Sequence, residues 1–526
     1  MSASQPPSGA RQVIVIGAGV GGLAAAIRLL AAGHRVTVLE RASHPGGKMR
    51  QVAVGDQLFD GGPSVLTLPW VLDDLCQTAG VHTRDVLTLT PLAPLCRHFF
   101  ADGTQLDLFN DEPLPGDAAW ARSADEISRV IGPKAGEQYR RYRRHAARIY
   151  AAVERPFMRS ALPSNPLGFL WAYGTSGRPG DLLGLLNLDA HRTLWQALSS
   201  FFDDERLRIL FARYATYSGA DPYAAPATLS VIPHVEQAFG VQAVQGGMYR
   251  VAQVLSELVL RLGGKIQLEA EVEHVELDAK EQRALAVTVA GERVAADCII
   301  ANCDVAQLYG QLLRGSRRGE RLGHKLDALP PSLSAYLNLC VADLSTTPTA
   351  PASLPLCHHN VFFSDDYRRE FEELATRPPS NPTVYLCNPD AGKATQRWFF
   401  LTNAPPLPAS GSDAAWKWSA AERAGCRAQV IAQLDRHGIP FTSVVRAEAE
   451  VTPGDFADLF PGSRGALYGA AASSRLGAFK RPPNRVPGVD NLFCVGGSTH
   501  PGAGVPMVML SAAIVSAMVQ KLLQAG

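Results

Sequence analysis

The sequence predicts an α/β fold: a doubly wound, mostly parallel sheet assembled from separated stretches of chain, with an α+β domain inserted between them. Three observations carry this expectation. A β-branched run, Val13-Ile-Val-Ile16, passes through a glycine-rich turn into an Ala- and Leu-rich stretch and then into a second run, Val36-Thr-Val-Leu39. Strand-like segments return only after about residue 240, and once more near the carboxyl end. The 526 residues also exceed the roughly 250–300 at which a single hydrophobic core stops growing.

Val13–Ile16 has no polar interruption, the pattern of a strand buried on both faces. Residues 20–33 read as a helix stopped by Gly33. Val36–Leu39 is a second buried strand, so the three form a β-α-β unit whose right-handed crossover opens a doubly wound sheet. Further on, Arg250–Leu262 reads as an amphipathic helix ending at Gly263-Gly264, and Lys265–Leu277 alternates like one strand. Ala284–Val289 and Arg293–Ala301 read as further strands, and an apolar helix over about Val505–Gln524 closes the chain. Between these pieces, about 90–235 and 305–465 are less regular and rich in aromatic residues and proline. Residues 346–355 and 404–412 read as exposed loops.

Composition narrows the function classes. Charged residues make up 19% of the chain, below the roughly 25% of ordinary soluble domains, which points to an unusually apolar surface or interior. Fifty Lys and Arg against 49 Asp and Glu give a net charge of +1, so no field exists to recruit nucleic acid. Nine cysteines without a C-x-x-C pair argue against a zinc centre or a secreted disulfide framework and for reduced thiols in the cytoplasm; no metal is expected. The first ten residues, MSASQPPSGA, lack the apolar stretch of a secretory signal. The apolar segment Ala503–Val519 falls short of the roughly 20 residues of a spanning helix. A cytoplasmic protein, soluble or held on one membrane face, is expected.

The chemistry begins at Gly17-Ala-Gly19-Val-Gly-Gly22, placed between the first strand and the first helix. The first glycine permits the tight turn, the second lets backbone approach a pyrophosphate, and the third lets helix and strand pack closely. The helix N-terminus then offers free N–H groups to phosphate. Glu40 closes the second strand, where a carboxylate can accept hydrogen bonds from a ribose diol and would repel a 2′-phosphate. A glycine motif alone is more often only a turn; strand, glycines, helix, strand and terminal acid together point to a dinucleotide. NAD and FAD are both open at this point.

The residues after Glu40 separate them. Arg41, then Gly46-Gly47-Lys48, then Phe59-Asp-Gly-Gly62-Pro63-Ser64 resembles the fingerprint of the flavoprotein amine oxidases and carotenoid desaturases. The resemblance implies a Rossmann-type FAD-binding domain in which the Gly46–Lys48 turn lies along the FAD diphosphate. It places the turn at Gly62, Pro63 and Ser64 beside the ribityl chain and flavin. Val272 resembles the family valine whose backbone meets the adenine. At the far end, Asn491–Gly497 reads as a strand running into a glycine turn, and Ser498–Pro506 leads into the last helix. Its N–H groups and helix dipole suit the negative edge of a reduced flavin. By the resemblance, Gly496, Gly497, Pro506 and Met507 complete the FAD contacts.

The loop Gly496-Gly-Ser-Thr-His-Pro-Gly-Ala-Gly-Val-Pro506 resembles the segment that ends bacterial phytoene-desaturase-type enzymes, including diapophytoene and hydroxycarotenoid desaturases. Tyr217–Pro226, Gly246–Arg250 and Ala296–Asp304 also match that family. Implied is hydride transfer from an allylic carbon of a long polyene to flavin N5, with oxygen or a quinone as final acceptor. Such chemistry requires a long apolar tunnel more than acids or bases. Candidates to line it are Phe169, Leu170, Trp171, Tyr173, Phe201, Phe202, Phe211, Tyr214 and Tyr217, each of which core packing would explain equally well.

His500 is the one candidate catalytic side chain, with bracing of its loop as the other reading, and Lys48 reads as a phosphate or backbone contact. A carotenoid substrate collected from a bilayer implies a peripheral, monotopic contact with the inner membrane face. The implied division is an FAD domain of residues 1–90, 241–305 and 466–526, a helical substrate- and membrane-contacting domain of 91–240, and a substrate domain of 306–465. A carotenoid oxidase or isomerase on the same scaffold shares every motif. An amine-oxidase-like flavoprotein is the more distant alternative, against which the His-Pro-Gly string argues.

Overall fold

In a computed structural model, the structure describes residues 10–112, 118, 120–162, 188–346, 354–408, 418–471 and 481–525. The two β-branched runs form adjacent parallel strands, Gln12–Ile16 and Arg35–Leu39, with Val13 opposite Val36 and Ile16 opposite Leu39. Five parallel strands make this sheet, in the order Leu492–Cys494, Cys298–Ala301, Gln12–Ile16, Arg35–Leu39, Lys265–Gln267. Pieces from three distant parts of the chain therefore share one layer. The helix Val20–Ala31 connects the first two strands and buries nearly its whole apolar length. It ends where Gly33 takes a φ of +88° and the amides of Gly33 and His34 reach back to the carbonyls of Leu30 and Leu29.

Two of the expected strands divide. The alternation from Lys265 to Leu277 is broken at Glu269, which has a φ of +54°; Lys265–Gln267 joins the parallel sheet and Val272–Leu277 turns into a separate antiparallel one. That second sheet has the order Val272–Leu277, Ala284–Val289, Glu292–Ala295. The stretch expected as one strand over 293–301 likewise changes sheets after Ala295. The amide of Ala296 still bonds Leu285, whereas that of Asp297 already bonds Gln12.

The third layer is a seven-stranded sheet in the order Val445–Val451, Ser334–Asp343, Thr395–Ala404, Val384–Cys387, His359–Phe362, Cys96–Phe99, Gln105–Leu108. All its pairs are antiparallel except His359–Phe362 with Cys96–Phe99. Its two longest strands, Ser334–Asp343 and Thr395–Ala404, each of 10 residues, are buried along most of their length. Beside it lies a helical cluster in which Tyr139, Tyr142, Phe202, Phe211 and Tyr214 are fully buried against one another.

The closing helix Val505–Ala525 is long and apolar enough to cross a membrane by length and composition. It packs against the helices Val20–Ala31 and Pro69–Thr78, and 56% of its most apolar window is buried within the fold. It is a core helix in this arrangement. The described residues expose few large apolar side chains: Leu58, Leu260 and Leu268. Phe169, Leu170, Trp171 and Tyr173 lie outside the described residues.

Candidate active site

The carboxyl ends of the parallel strands open onto a cavity of about 500 Å³, the position at which open α/β sheets bind ligands. Gly17, with a φ of +97°, turns the chain out of the first strand, and its amide bonds the carbonyl of Leu39 at 2.7 Å. No side chain caps the helix that starts after Gly19, so its first N–H groups are left for an acceptor in the cavity. Gly22 cannot be replaced without moving backbone, and a side chain at Gly19 would have to displace that of Asn302. A Cβ on Gly22 would come within 2.3 Å of the Gly17 carbonyl oxygen, and one on Gly19 within 2.6 Å of Asn302 Oδ1.

Glu40 is 7% exposed, and both carboxylate oxygens are engaged. One accepts from the Ala18 amide at 2.6 Å, the other from the Ala42 amide at 2.9 Å. Each oxygen keeps a further lone pair that can accept from a ribose hydroxyl. Arg41 donates to the carbonyls of Asp458 and Leu459 at 2.9 and 2.7 Å, which ties the strand end to the helix Pro453–Leu459.

The turn at Gly46-Gly47-Lys48 stacks on the first glycine turn. The Gly46 amide bonds the Ala18 carbonyl, and a Cβ on Gly47 would lie 3.3 Å from the Gly19 Cα. Lys48 extends to the carbonyl of Leu467 at 2.6 Å and passes 5.4 Å above the Phe460 ring. Burial lowers its pKa, and the Asp304 carboxylate opposes that shift. Gly62 sits against the same turn. Asp60, just before it, accepts from the amides of Met248 and Tyr249 and so anchors the start of the helix Tyr249–Arg261.

Gly17, Gly19, Glu40, Arg41, Gly47, Lys48, Gly62, Pro63, Ser64, Val272, Gly496 and Gly497 all face this one cavity. Gly22, Pro506, Met507 and His500 do not line it. Gly22 lies instead at the contact between helix and strand. His500 is fully buried; its Nε2 meets the Ser160 carbonyl oxygen at 2.9 Å and its ring stands edge-on to Phe157 at 4.7 Å. Its own carbonyl accepts from Asn484 and Ser511, both at 2.8 Å. Burial drops its pKa to about 4, so the ring is neutral at pH 7. These contacts brace the loop against the last helix. Arg481, 5% exposed, clamps the same loop by donating to the carbonyls of Tyr468 and Gly497.

Beyond the glycine turns the wall becomes apolar, with Leu337, Val361, Phe399, Leu401, Phe456 and Phe460. Of the aromatic residues read as tunnel material in 201–217, Tyr217 reaches the cavity; Phe202, Phe211 and Tyr214 are helical core. Polar side chains interrupt the apolar wall at Arg213, Thr216, Tyr217, Thr383 and Tyr385. The Tyr385 hydroxyl joins Ser64 at 2.8 Å to His359 Nδ1 at 2.7 Å.

Sequence reasoning missed Asn302, Arg213, Tyr385 and the aromatic pair Phe456 and Phe460. Asn302 follows the strand Cys298–Ala301 directly, and its amide bonds the carbonyl of Ile16. Its Nδ2 donates to Val495, while its Oδ1 is buried under the glycine turn without a partner among the described residues. Its place at a parallel strand's carboxyl end was the available signal. The free helix N-terminus, the glycine-lined approach and this orphaned acceptor fit a dinucleotide.

The family described as flavin containing amine oxidoreductase matches residues 20–519. The chain is 36% identical over 520 residues to the hydroxyneurosporene desaturase of Rubrivivax gelatinosus, covering 96% of this chain and 92% of that one. It is 31% identical over 512 residues to the 4,4'-diapolycopene oxygenase of a Methylomonas species, covering 96% and 97%. Among solved structures, an oxidoreductase from Methanosarcina mazei shares the fold with a TM-score of 0.59 at 16% identity, over 95% of this chain and 98% of that one. The chain belongs to the flavin-containing amine oxidoreductase family, and FAD is its cofactor.

Proposed function

We propose that this chain is an FAD-dependent carotenoid desaturase that removes two hydrogens from a C–C bond next to the conjugated system of a long polyene. One observation carries the reading: a single cavity joins the glycine turns at the sheet's edge to a wall of Leu337, Val361, Phe399, Leu401, Phe456 and Phe460. The relative from Rubrivivax gelatinosus, named for desaturation of hydroxyneurosporene, is similar over nearly the whole of both chains. An amine substrate fits less well. The acidic side chains among the described lining residues, Glu40, Glu271 and Asp304, stand with the nucleotide turns, and the apolar wall has none to receive an ammonium group.

FAD held there would supply a two-electron acceptor for a hydride from the allylic carbon, with the second hydrogen leaving as a proton. The chain's own part is binding, orientation and exclusion of water. The proposed cofactor contacts are Gly17, Gly19, Glu40, Arg41, Gly47, Lys48, Gly62, Pro63, Ser64, Val272, Gly496 and Gly497, with Gly22, Pro506 and Met507 supporting them from behind. Phe399, Phe456 and Phe460 would hold the polyene away from water, so that the positive charge developing along it meets aromatic faces rather than a nucleophile. His500 has no place in proton transfer on this reading, because it is buried against Ser160 and Phe157. Residues 1–90, 241–305 and 466–526 are proposed as the FAD domain and the two intervening segments as the substrate part. Oxygen or a quinone would restore the oxidised cofactor, at a cytoplasmic membrane face from which the polyene is drawn.

Expression in a host that accumulates partly desaturated or hydroxylated carotenoids tests this. The expected result is a red shift by whole conjugated units with a mass loss of two hydrogens per step. An unchanged pigment in cells whose purified protein carries FAD would overturn the reading. A gain of oxygen at constant conjugation would instead support the oxygenase reading that the Methylomonas relative favours.

Glu40→Ala should weaken FAD binding by about 1–3 kcal/mol, since it removes the ribose acceptor and also releases the amides of Ala18 and Ala42. Glu40→Gln keeps one acceptor oxygen and should lose less. Equal retention of flavin through dialysis by the parent and Glu40→Ala would show that Glu40 has another role.

A further inference from the structure

Arg213 is 6% exposed, yet it faces the cavity. Its Nη1 donates to the Tyr217 hydroxyl at 3.3 Å, and its guanidinium lies 4.7 Å from the Tyr214 ring centre and 5.4 Å from that of Tyr217. Its Nε and Nη2 are buried and have no hydrogen-bond partner among the described residues. Leaving two donors of a buried guanidinium unmade is costly, and native structures avoid it unless something else accepts from them. Because the residue lines the cavity, a ligand there can supply the missing acceptor.

The charge around Arg213 says what kind of acceptor. Glu236, 3% exposed, takes one hydrogen bond from Tyr214 at 2.5 Å and one from Tyr217 at 2.9 Å. One buried cation and one buried anion are thus joined through two tyrosines, and the cluster is already neutral. An anionic ligand would leave an uncompensated negative charge in an apolar site; a neutral oxygen would not. The Thr383 hydroxyl, also on the cavity lining, donates to Glu370 at 2.6 Å, accepts from the Ser364 amide at 3.2 Å and keeps one lone pair that could accept from an O–H group. A hydrocarbon polyene can satisfy none of these groups.

Resting on the desaturase reading above, we propose that Arg213 binds a neutral oxygen, a hydroxyl, at the end of the polyene, and so selects oxygen-bearing substrates over plain hydrocarbons. The selection works mostly by rejection. A hydrocarbon end leaves the guanidinium N–H groups unpaired and dry, and sites built to hydrogen-bond an oxygen discriminate strongly against analogues that lack it.

The test pairs a 1-hydroxylated polyene with the same carbon skeleton lacking the hydroxyl, using the FAD-loaded full chain. The parent should prefer the hydroxylated substrate by about 10- to 100-fold in kcat/KM. Arg213→Met should lose most of that preference, chiefly through KM on the hydroxylated substrate. Turnover of the hydrocarbon should stay within about twofold or rise. Arg213→Lys keeps the charge and one donor direction and should restore part of the preference. Equilibrium binding, read by quenching of tryptophan fluorescence without turnover, should show the same loss. If Arg213→Met fails to fold because Glu236 is left unbalanced, the double variant Arg213→Met with Glu236→Gln keeps the site neutral and carries the same expectation. Equal losses on both polyenes, or no loss on either, would overturn the proposal. A parent that desaturates both polyenes equally overturns it alone, whereas a parent that oxidises neither overturns the desaturase reading together with it.

Discussion

Gly62→Ala is expected to give a folded protein that loses FAD on gel filtration, with affinity down at least about 100-fold, or about 2.7 kcal/mol. A Cβ at this position would lie 1.8 Å from the Lys48 carbonyl oxygen and 2.9 Å from its carbonyl carbon. Both atoms are backbone, so no side-chain rotation relieves the overlap, and overpacking of this kind typically costs about 1–3 kcal/mol or more. Relief means pushing the Gly46–Lys48 turn away from the Gly62 turn. That turn rests on the first glycine turn through the bond from Gly46 to Ala18, and Lys48 is tethered to Leu467. The strain therefore spreads into the walls that face the cofactor rather than into the sheet behind them. Gly323→Ala is the matched control. It lies in the helix Arg317–Asp327 with nothing within 4 Å of an added Cβ. It should retain FAD like the parent and gain up to about 1 kcal/mol from helix propensity. Flavin absorbance after gel filtration, with circular dichroism melts of each variant, reads both effects. Flavin retention by Gly62→Ala equal to the parent's would mean that the two turns do not pack as described.

The same contrast explains what could be read from residues alone. The glycine turns, Glu40 and the first two strands were legible because their chemistry is local. Backbone must approach phosphate at fixed spacing, and a strand buried on both faces must be apolar throughout. The seven-stranded sheet was not legible, because it joins 96–108 to 334–451 and pairs residues more than 200 positions apart, such as Asn360 with Arg97. One of its two longest strands, Ser334–Asp343, carries the buried Asn338 in mid-run and so resembles neither a clean alternation nor an apolar block. The break at Glu269 was hidden because apolar and polar residues keep alternating across it. Aromatic content could not separate core from wall: Phe211 and Tyr217 stand six positions apart, one packed in the helical cluster and the other on the cavity. Arg213 and Tyr385 were invisible as site residues for a related reason. Nothing in a sequence shows that a buried guanidinium lacks acceptors until its neighbours from other segments are known.

Acid should destabilise the fold well before its exposed carboxylates titrate, with the melting temperature dropping steeply between pH 6.5 and pH 5. Burial is the leading cause of depressed pKa values at seven histidines, His34 and His437 among them. His98 and His234 fall to about 3, His358 and His500 to about 4, and His359 well below its ordinary value. Unfolded, each would titrate near 6.5. Between the two values the unfolded chain binds protons that the native state refuses, so stability falls as pH falls through that window. At pH 5, which is 1.5 units below 6.5, each such group costs up to about 2 kcal/mol. Four carboxyls act the other way, Asp60 and Asp221 among them. Burial raises Glu370 to about 7 and, with Arg143 opposing, Asp111 to about 6. Their native forms keep protons that the unfolded chain has released, so they gain stability as pH falls from 7 toward their ordinary values. The histidines outnumber the carboxyls, and the net slope is toward unfolding. Melts followed by near-ultraviolet dichroism at pH 7.5, 6.5, 5.5 and 5.0 would show it, and a flat profile would contradict it. His234→Phe isolates one contributor: this ring lies tilted against Tyr150, 5.1 Å between ring centres, and its Nδ1 has no partner among the described residues. The variant should flatten the profile while leaving stability at pH 7.5 little changed, because the ring it replaces is neutral there and its ring contact is one that phenylalanine can keep.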